Sequence, residues 1–107
     1  MNLKELARTG VQLPSIGLGT WRYQGGVEAL RAGVDMGAKF IDTAESYGTE
    51  EIVGQAIQGI RKEVFLATKV SPRHFRCAEV VRSVDGSLKR FKTDYVDLYQ
   101  LHWPNLA

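Results

Sequence analysis

The chain has 107 residues, of which 44% are hydrophobic and 24% are charged. These proportions are typical of a globular domain and exclude a disordered or collagen-like chain. Fourteen Lys and Arg against twelve Asp and Glu give a net charge of +2, and because the basic residues are scattered, the sequence predicts neither a nucleic-acid nor a membrane partner. The single cysteine, Cys77, fits a reducing compartment. The N-terminal residues lack a secretory signal and no apolar run approaches the ~20 residues that span a bilayer, so we expect a cytoplasmic protein.

The hydrophobic pattern alternates short apolar runs with longer stretches of helical periodicity. In chain order the predicted elements are a hairpin over residues 3–13, a strand over 16–19, a helix over 27–36, a strand over 39–42, a helix over 50–58, a strand over 64–70, a helix over 78–91 and a strand over 95–102. Strands that alternate with helices predict a parallel sheet with right-handed crossovers.

The predicted strands end near Gly19, Asp42, Lys69 and His102. Consecutive ends are therefore 23, 27 and 33 residues apart. A (β/α)8 barrel uses roughly 30 residues for each strand and helix, so this spacing fits part of such a barrel. The spacing fits a doubly wound open sheet nearly as well. Because the last predicted strand has no helix after it to cover the sheet, we expect residues 1–107 to be one partial domain, truncated at its C-terminus.

Residues able to do chemistry fall at one edge of this predicted sheet. Asp42, Lys69 and His102 lie at the carboxyl ends of consecutive strands, and Tyr47 lies in the loop that follows the first of them. Each of these residues also has an ordinary structural explanation when it is considered alone. Asp42 could be a turn-forming aspartate, and Lys69 could be a strand-end lysine that reaches water. Ligand sites of barrel and doubly wound folds nevertheless form at this edge.

The combination of these residues predicts acid–base chemistry. An ammonium beside a phenol stabilises the phenolate, so Lys69 would make Tyr47 a usable general acid near neutral pH. Asp42 would hold Lys69 charged and in place. His102 could donate a hydrogen bond that orients a carbonyl oxygen towards the phenol.

Other patterns predict no further site. The pair Gly17 and Gly19 lacks the third glycine of a dinucleotide fingerprint. His74, Cys77 and His102 do not have the spacing of metal ligands, so no metal is expected. We interpret His74 as a solvated loop residue and Cys77 as a buried, inert thiol.

The sequence resembles the aldo-keto reductase family in four segments. They are GLGTW at residues 17–21, GAKFIDTA at 37–44 followed by Tyr47, Glu50, Val53 and Gly54, LATK at 66–69, and DYVDLYQLHWP at 94–104. The resemblance runs from about Leu13 to Pro104. It implies the N-terminal half of a (β/α)8 barrel, with the hairpin as a plug at the barrel bottom, and an enzyme that reduces aldehydes and ketones with NADPH.

The resemblance also implies a role for each matching residue. Tyr47 would be the proton donor, Lys69 and Asp42 would tune its acidity, and His102 would orient the carbonyl group. The implied cofactor-binding residues are Gly19, Thr20, Trp21 and Asp42, and the implied substrate-binding residues are Trp21, Tyr47, His102 and Trp103. Most of the family's cofactor contacts lie beyond residue 107, so we expect this chain alone to bind NADPH weakly and to be inactive.

The expected partner is a small carbonyl compound, and the full-length form is expected to be a monomer. Other readings of the sequence stay open. The protein could bind a nicotinamide cofactor as a non-catalytic regulator, or the chain could be an inert half-barrel. It could also be a half-barrel that closes by pairing with a second copy through its strand edges.

Overall fold

The computed structural model describes residues 1–106. Its strands and helices are β1 (Leu3–Glu5), β2 (Gln12–Pro14), β3 (Leu18–Gly19), α1 (Gly26–Asp35), β4 (Phe40–Asp42), α2 (Glu50–Ile57), β5 (Phe65–Val70), α3 (Cys77–Phe91) and β6 (Leu98–Leu101). Every helix and strand predicted from the hydrophobic pattern is present, with its ends shifted by at most three residues. The sequence pattern missed three short 3-10 turns, at Glu45–Tyr47, Arg61–Glu63 and Pro72–His74.

The four strands β3 to β6 form one parallel sheet in which each strand pairs with the next one along the chain. Gly19 is in register with Asp42, and Asp42 with Ala67. A doubly wound sheet reverses its strand order partway, whereas a (β/α)8 barrel keeps the strands in sequence order. The observed order is that of a barrel, and the chain forms part of one.

The strands β1 and β2 form a separate antiparallel hairpin at the end of the parallel sheet where its strands begin. Met1, Leu3 and Pro14 share a cleft with Val64 and Phe65, which lie at the amino end of β5. This position agrees with the barrel-bottom plug that the family resemblance implies. Within the part of the chain that the model describes, no helix is long and apolar enough to cross a bilayer.

The apolar core lies between one face of the sheet and the three helices. Its buried members are Leu30, Val34, Ile41, Val53, Ala56, Ile57, Val64, Leu66 and Phe91. Because side chains alternate along a strand, burying Ile41 and Leu66 under the helices turns Asp42 and Lys69 to the opposite face. The packing of the core therefore selects the face on which the polar residues meet.

Helices α2 and α3 approach each other closely at Gly54. A Cβ atom added to Gly54 would lie 2.7 Å from both the Cα and the carbonyl oxygen of Phe91, and 2.8 Å from the carbonyl oxygen of Arg90. These neighbours are backbone atoms, which cannot move aside without shifting the helix. Glycine at this position therefore sets the distance between the two helices.

We expect Gly54→Ala to destabilise the fold by about 1–3 kcal/mol, because overpacking outweighs the better helix propensity of alanine. Urea unfolding of the whole protein would measure the change in the free energy of unfolding. The matched control is Gly86→Ala in α3, where the nearest atoms are the guanidinium nitrogens of the flexible Arg90 side chain. Equal stability of the two variants would contradict this account.

Candidate active site

The Lys69 ammonium is the centre of the polar cluster at the carboxyl edge of the sheet. Its Nζ donates to both carboxylate oxygens of Asp42, at 3.0 and 2.9 Å, and to the backbone oxygen of Thr43 at 2.8 Å. The Lys69 side chain is 14% exposed and that of Asp42 is 40% exposed. A cation shielded to this degree needs an anionic partner, and Asp42 supplies it.

Tyr47 lies beside this ammonium. Lys69 Nζ is 3.5 Å from the phenolic oxygen and 5.1 Å from the ring centroid. The tyrosine ends the 3-10 turn Glu45–Tyr47, and Gly48 follows it in a left-handed conformation with φ of 72°, which glycine adopts without strain. The fixed positive charge therefore faces the oxygen that would carry negative charge if Tyr47 lost its proton.

The His102 ring completes the cluster from the end of β6. Its backbone N–H donates to the carbonyl oxygen of Val70 at 3.1 Å, which continues the pairing of β5 with β6. The ring stands edge-on to Tyr47 with centroids 5.4 Å apart, and lies 4.1 Å from the Trp103 ring. Its Nδ1 is 3.3 Å from the hydroxyl oxygen of Ser46.

The charge state of His102 is set by these surroundings. Burial, and after it the Lys69 ammonium, lower the pKa of His102 below 6.5, while the carboxylates of Asp42 and Glu45 oppose the shift. A histidine with a lowered pKa is neutral at neutral pH, so it keeps one N–H and donates a hydrogen bond without carrying charge.

We expect Lys69→Met to raise the pKa of His102, because it removes the nearby cation and leaves the Asp42 carboxylate unpaired. An NMR titration of the histidine Cε1–H signals would measure this change. Lys62→Met is the control, since it removes the same charge from the opposite end of the sheet and should leave the His102 titration unchanged. A His102 pKa that falls or stays constant in Lys69→Met would refute the electrostatic account.

Three threonines hold the loops of this edge together. The hydroxyl of Thr49 donates to that of Thr20 at 3.0 Å and lies 3.1 Å from that of Thr43, and Thr20 Oγ1 donates to the backbone oxygen of Asp42 at 3.3 Å. Thr20 has no exposed surface. Its hydroxyl is used inside the protein to support the loop, and the contact of Thr20 with a cofactor stays a prediction.

The remaining predicted residues border an open surface at the same edge. A Cβ atom added to Gly19 would meet nothing within 4 Å, although Gly19 is paired with Asp42. Trp21 and Trp103 are largely exposed, at 66% and 53%. The carboxyl edge of the sheet thus places the charged cluster next to an open surface at Gly19 and to the exposed indole rings of Trp21 and Trp103.

The sequence interpretation missed the contact between Glu45 and His74. His74 was expected to be a solvated loop residue, but its Nδ1 lies 2.8 Å from the carboxylate of Glu45, which also accepts the backbone N–H of Ser71 at 2.7 Å. Glu45 and His74 both follow the carboxyl ends of neighbouring strands. That shared position is the one signal in the sequence that could have suggested their contact.

A second carboxylate, that of Glu50 at the start of α2, is buried between the sheet and the helices. Glu50 accepts hydrogen bonds from Thr68 at 2.7 Å, Ser87 at 3.1 Å and Arg90 at 2.8 Å, and so joins α2 to β5 and α3. Burial, followed by the negative charges of Glu45 and Glu50, raises the pKa of Tyr99 to about 12. Tyr99 therefore stays protonated, and its hydroxyl is poorly suited to give up a proton.

Comparison with known proteins identifies the class to which this fold and site belong. The family model for the aldo/keto reductase family matches residues 15–107, and the chain therefore belongs to the aldo-keto reductase family. Methylglyoxal reductase YeaE of Escherichia coli is 45% identical over 87% of this chain and 36% of its own length.

Solved structures agree with this assignment. A thermostable aldo-keto reductase, Tm1743, in complex with the inhibitor epalrestat superposes with a TM-score of 0.94 at 45% identity, covering 99% of this chain and 44% of its own. An aldo/keto reductase from Klebsiella pneumoniae in complex with NADP and acetate has a TM-score of 0.84 at 49% identity, over 89% of this chain and 37% of its own. The chain thus spans less than half the length of the proteins it matches.

Proposed function

We propose that the protein carrying residues 1–107 reduces aldehydes and ketones to alcohols with NADPH, and that Tyr47 is the proton donor. The observation that supports this proposal most directly is the Lys69 ammonium, which is held by Asp42 and lies 3.5 Å from the phenolic oxygen of Tyr47. The similarity to a methylglyoxal reductase adds support for a small carbonyl substrate.

The proton step depends on the positions of the side chains. A substrate oxygen placed between Tyr47 and His102 would receive a hydrogen bond from the neutral imidazole and then the phenolic proton. Negative charge left on the Tyr47 oxygen is stabilised by Lys69, whose contacts with Asp42 and Thr43 fix it before the reaction begins. Such a preset charge needs no reorganisation when the charge on the phenol develops.

The residues at the sheet edge fit the nicotinamide end of the cofactor. Gly19 leaves open space for a planar ring next to Asp42, whose side chain keeps 40% of its surface exposed. Gly19, Trp21 and Asp42 would hold this end, while Thr20 supports the loop from beneath. When bound, the cofactor supplies the hydride to the carbonyl carbon. Few other contacts are available here, so the chain by itself would bind the cofactor weakly.

The substrate would lie against the two tryptophans. Trp21 and Trp103 present apolar ring surface, although the Arg22 guanidinium lies 4.6 Å from the Trp21 ring centroid and the Trp103 ring packs on His102. Tyr47 and His102 present the polar groups that a carbonyl oxygen requires. The interpretation of Cys77 as a buried thiol was wrong, because it lies exposed at the start of α3. A free, exposed thiol fits a reducing compartment such as the cytoplasm. We assign the protein to small-molecule chemistry there, as a monomer without nucleic-acid or membrane partners.

We expect Tyr47→Phe to lower kcat by roughly 10²–10⁴, the usual scale for the loss of a general acid. The measurement is steady-state reduction of methylglyoxal by the whole protein with saturating NADPH. Tyr95→Phe is the control, because Tyr95 lies at the opposite end of the sheet, where its ring stacks on Arg61. Unchanged turnover in Tyr47→Phe would remove Tyr47 from the mechanism, and NADPH binding without any turnover in the unmodified protein would favour a regulatory role.

The two tryptophans should separate cofactor binding from substrate binding. We expect Trp21→Ala to raise the KM for both NADPH and the aldehyde, and Trp103→Ala to raise the KM for the aldehyde alone, each by roughly 2- to 10-fold for the loss of an aromatic contact. Steady-state kinetics with each substrate varied in turn would test this. The assignment of Trp21 to the cofactor is wrong if its variant binds NADPH normally.

A further inference from the structure

The turn that carries Tyr47 is anchored at both of its ends. On one side, the Thr43 carbonyl oxygen accepts a hydrogen bond from Lys69, and on the other, the Thr49 hydroxyl donates to Thr20. The residues between these anchors include the 3-10 turn itself, Glu45–Tyr47. The position of the phenol depends on the contacts that hold this middle part.

Glu45 supplies the strong contacts in the middle of the turn. Its Oε1 accepts the backbone N–H of Ser71 at 2.7 Å and lies 2.8 Å from Nδ1 of His74. The Glu45 side chain is only 10% exposed, whereas that of His74 is 43% exposed. The carboxylate is therefore turned inward to the segment after β5, and it is not presented to a substrate.

The Glu45 contacts lie next to the contact between Tyr47 and Lys69, on which the proposed proton transfer depends. Glu45 and Tyr47 are two residues apart in one segment, and Lys69 and Ser71 are two residues apart in the other. The bridge from Glu45 to Ser71 thus joins the same two segments as the pair of Tyr47 and Lys69. At 3.5 Å the Tyr47–Lys69 contact is long for a hydrogen bond and holds the turn weakly, whereas the contacts of Glu45 are short and well formed.

We propose that Glu45 is a positioning residue, which keeps the phenolic oxygen of Tyr47 within reach of the Lys69 ammonium by tying the catalytic turn to Ser71 and His74. This inference rests on the proposed function, because it assigns Glu45 a part in the proton transfer from Tyr47. Glu45 does not touch the substrate in this arrangement. It acts through the placement of the tyrosine.

Glu45→Ala in the whole protein should lower kcat by about 10- to 100-fold, the scale that a displacement of about 1 Å costs a reaction. The KM for NADPH should stay within about twofold, because Glu45 is not among the residues that border the cofactor surface. Glu45→Gln should recover most of the activity, since its amide oxygen still accepts the N–H of Ser71. Glu28→Ala, at an exposed site in the first turn of α1, is the control and should leave kcat unchanged.

Ser71→Pro tests the same bridge from its other side. Ser71 already has φ of −65°, which is the angle that proline requires, so the substitution keeps the backbone conformation. It replaces the N–H donor by a ring carbon, which also pushes the Glu45 carboxylate away from this position. It should lower kcat as Glu45→Ala does, and the double variant should be no slower than the slower single variant. If Glu45→Ala fails to fold, Glu45→Gln and Ser71→Pro still decide the question, because full activity in Ser71→Pro would overturn the proposal.

A crystal structure of Glu45→Ala separates this inference from the proposed function. The expected result is a Tyr47–Lys69 distance longer than 3.5 Å by about 1 Å, and an unchanged distance of 3.5 Å would overturn the positioning role. If Tyr47→Phe abolishes turnover while Glu45→Ala retains it, the proposed function stands and the positioning role is wrong. If Tyr47→Phe retains turnover, the proposed function fails, and without that proton transfer the role of Glu45 in it is overturned as well.

Discussion

The contact of the Lys69 ammonium with the Asp42 carboxylate is the interaction on which the site depends. Asp42 pairs in register with Ala67, two residues before Lys69 on the same face of β5, so the lysine side chain has only to bend back along the sheet edge. At 14% exposure the ammonium has little water to replace this partner. Sheet order, register and side-chain alternation therefore create the charged centre together, and this centre places a positive charge 3.5 Å from the phenolic oxygen of Tyr47.

Neighbouring residues of β5 point to opposite faces of the sheet and donate to different carboxylates. Thr68 points to the helices and donates to the buried Glu50, while Lys69 points to the open face and donates to Asp42. The two phenols of the region differ accordingly. Burial, and after it the carboxylates of Glu45 and Glu50, raise the pKa of Tyr99, which is in register with Thr68, whereas the Tyr47 hydroxyl lies 3.5 Å from an ammonium. One strand thus supplies the ammonium beside Tyr47, the tyrosine that we propose as the proton donor.

The sequence predicted the periodic features of the fold and those that obey a general rule of parallel sheets. Helices and strands come from hydrophobic spacing, and Asp42, Lys69 and His102 meet because the carboxyl ends of parallel strands share one edge. The choice between a barrel and a doubly wound sheet needed the strand order, since both folds have similar repeat lengths. The burial of Thr20 and the contact of Glu45 with His74 depend on how loops turn, and no periodic pattern in the chain records that.

Two kinds of contact hold the loops at this edge. Hydroxyl groups join the loop of Thr20 to the two ends of the catalytic turn, and these neutral contacts do not change with pH in the physiological range. Glu45 adds a bridge to the segment after β5, where its carboxylate receives a backbone N–H. A phenol placed by such contacts meets its ammonium in a fixed geometry before any ligand arrives. Because preset electrostatics lower a barrier without reorganisation, the loops that place Tyr47 contribute to the proposed reaction together with the reacting groups.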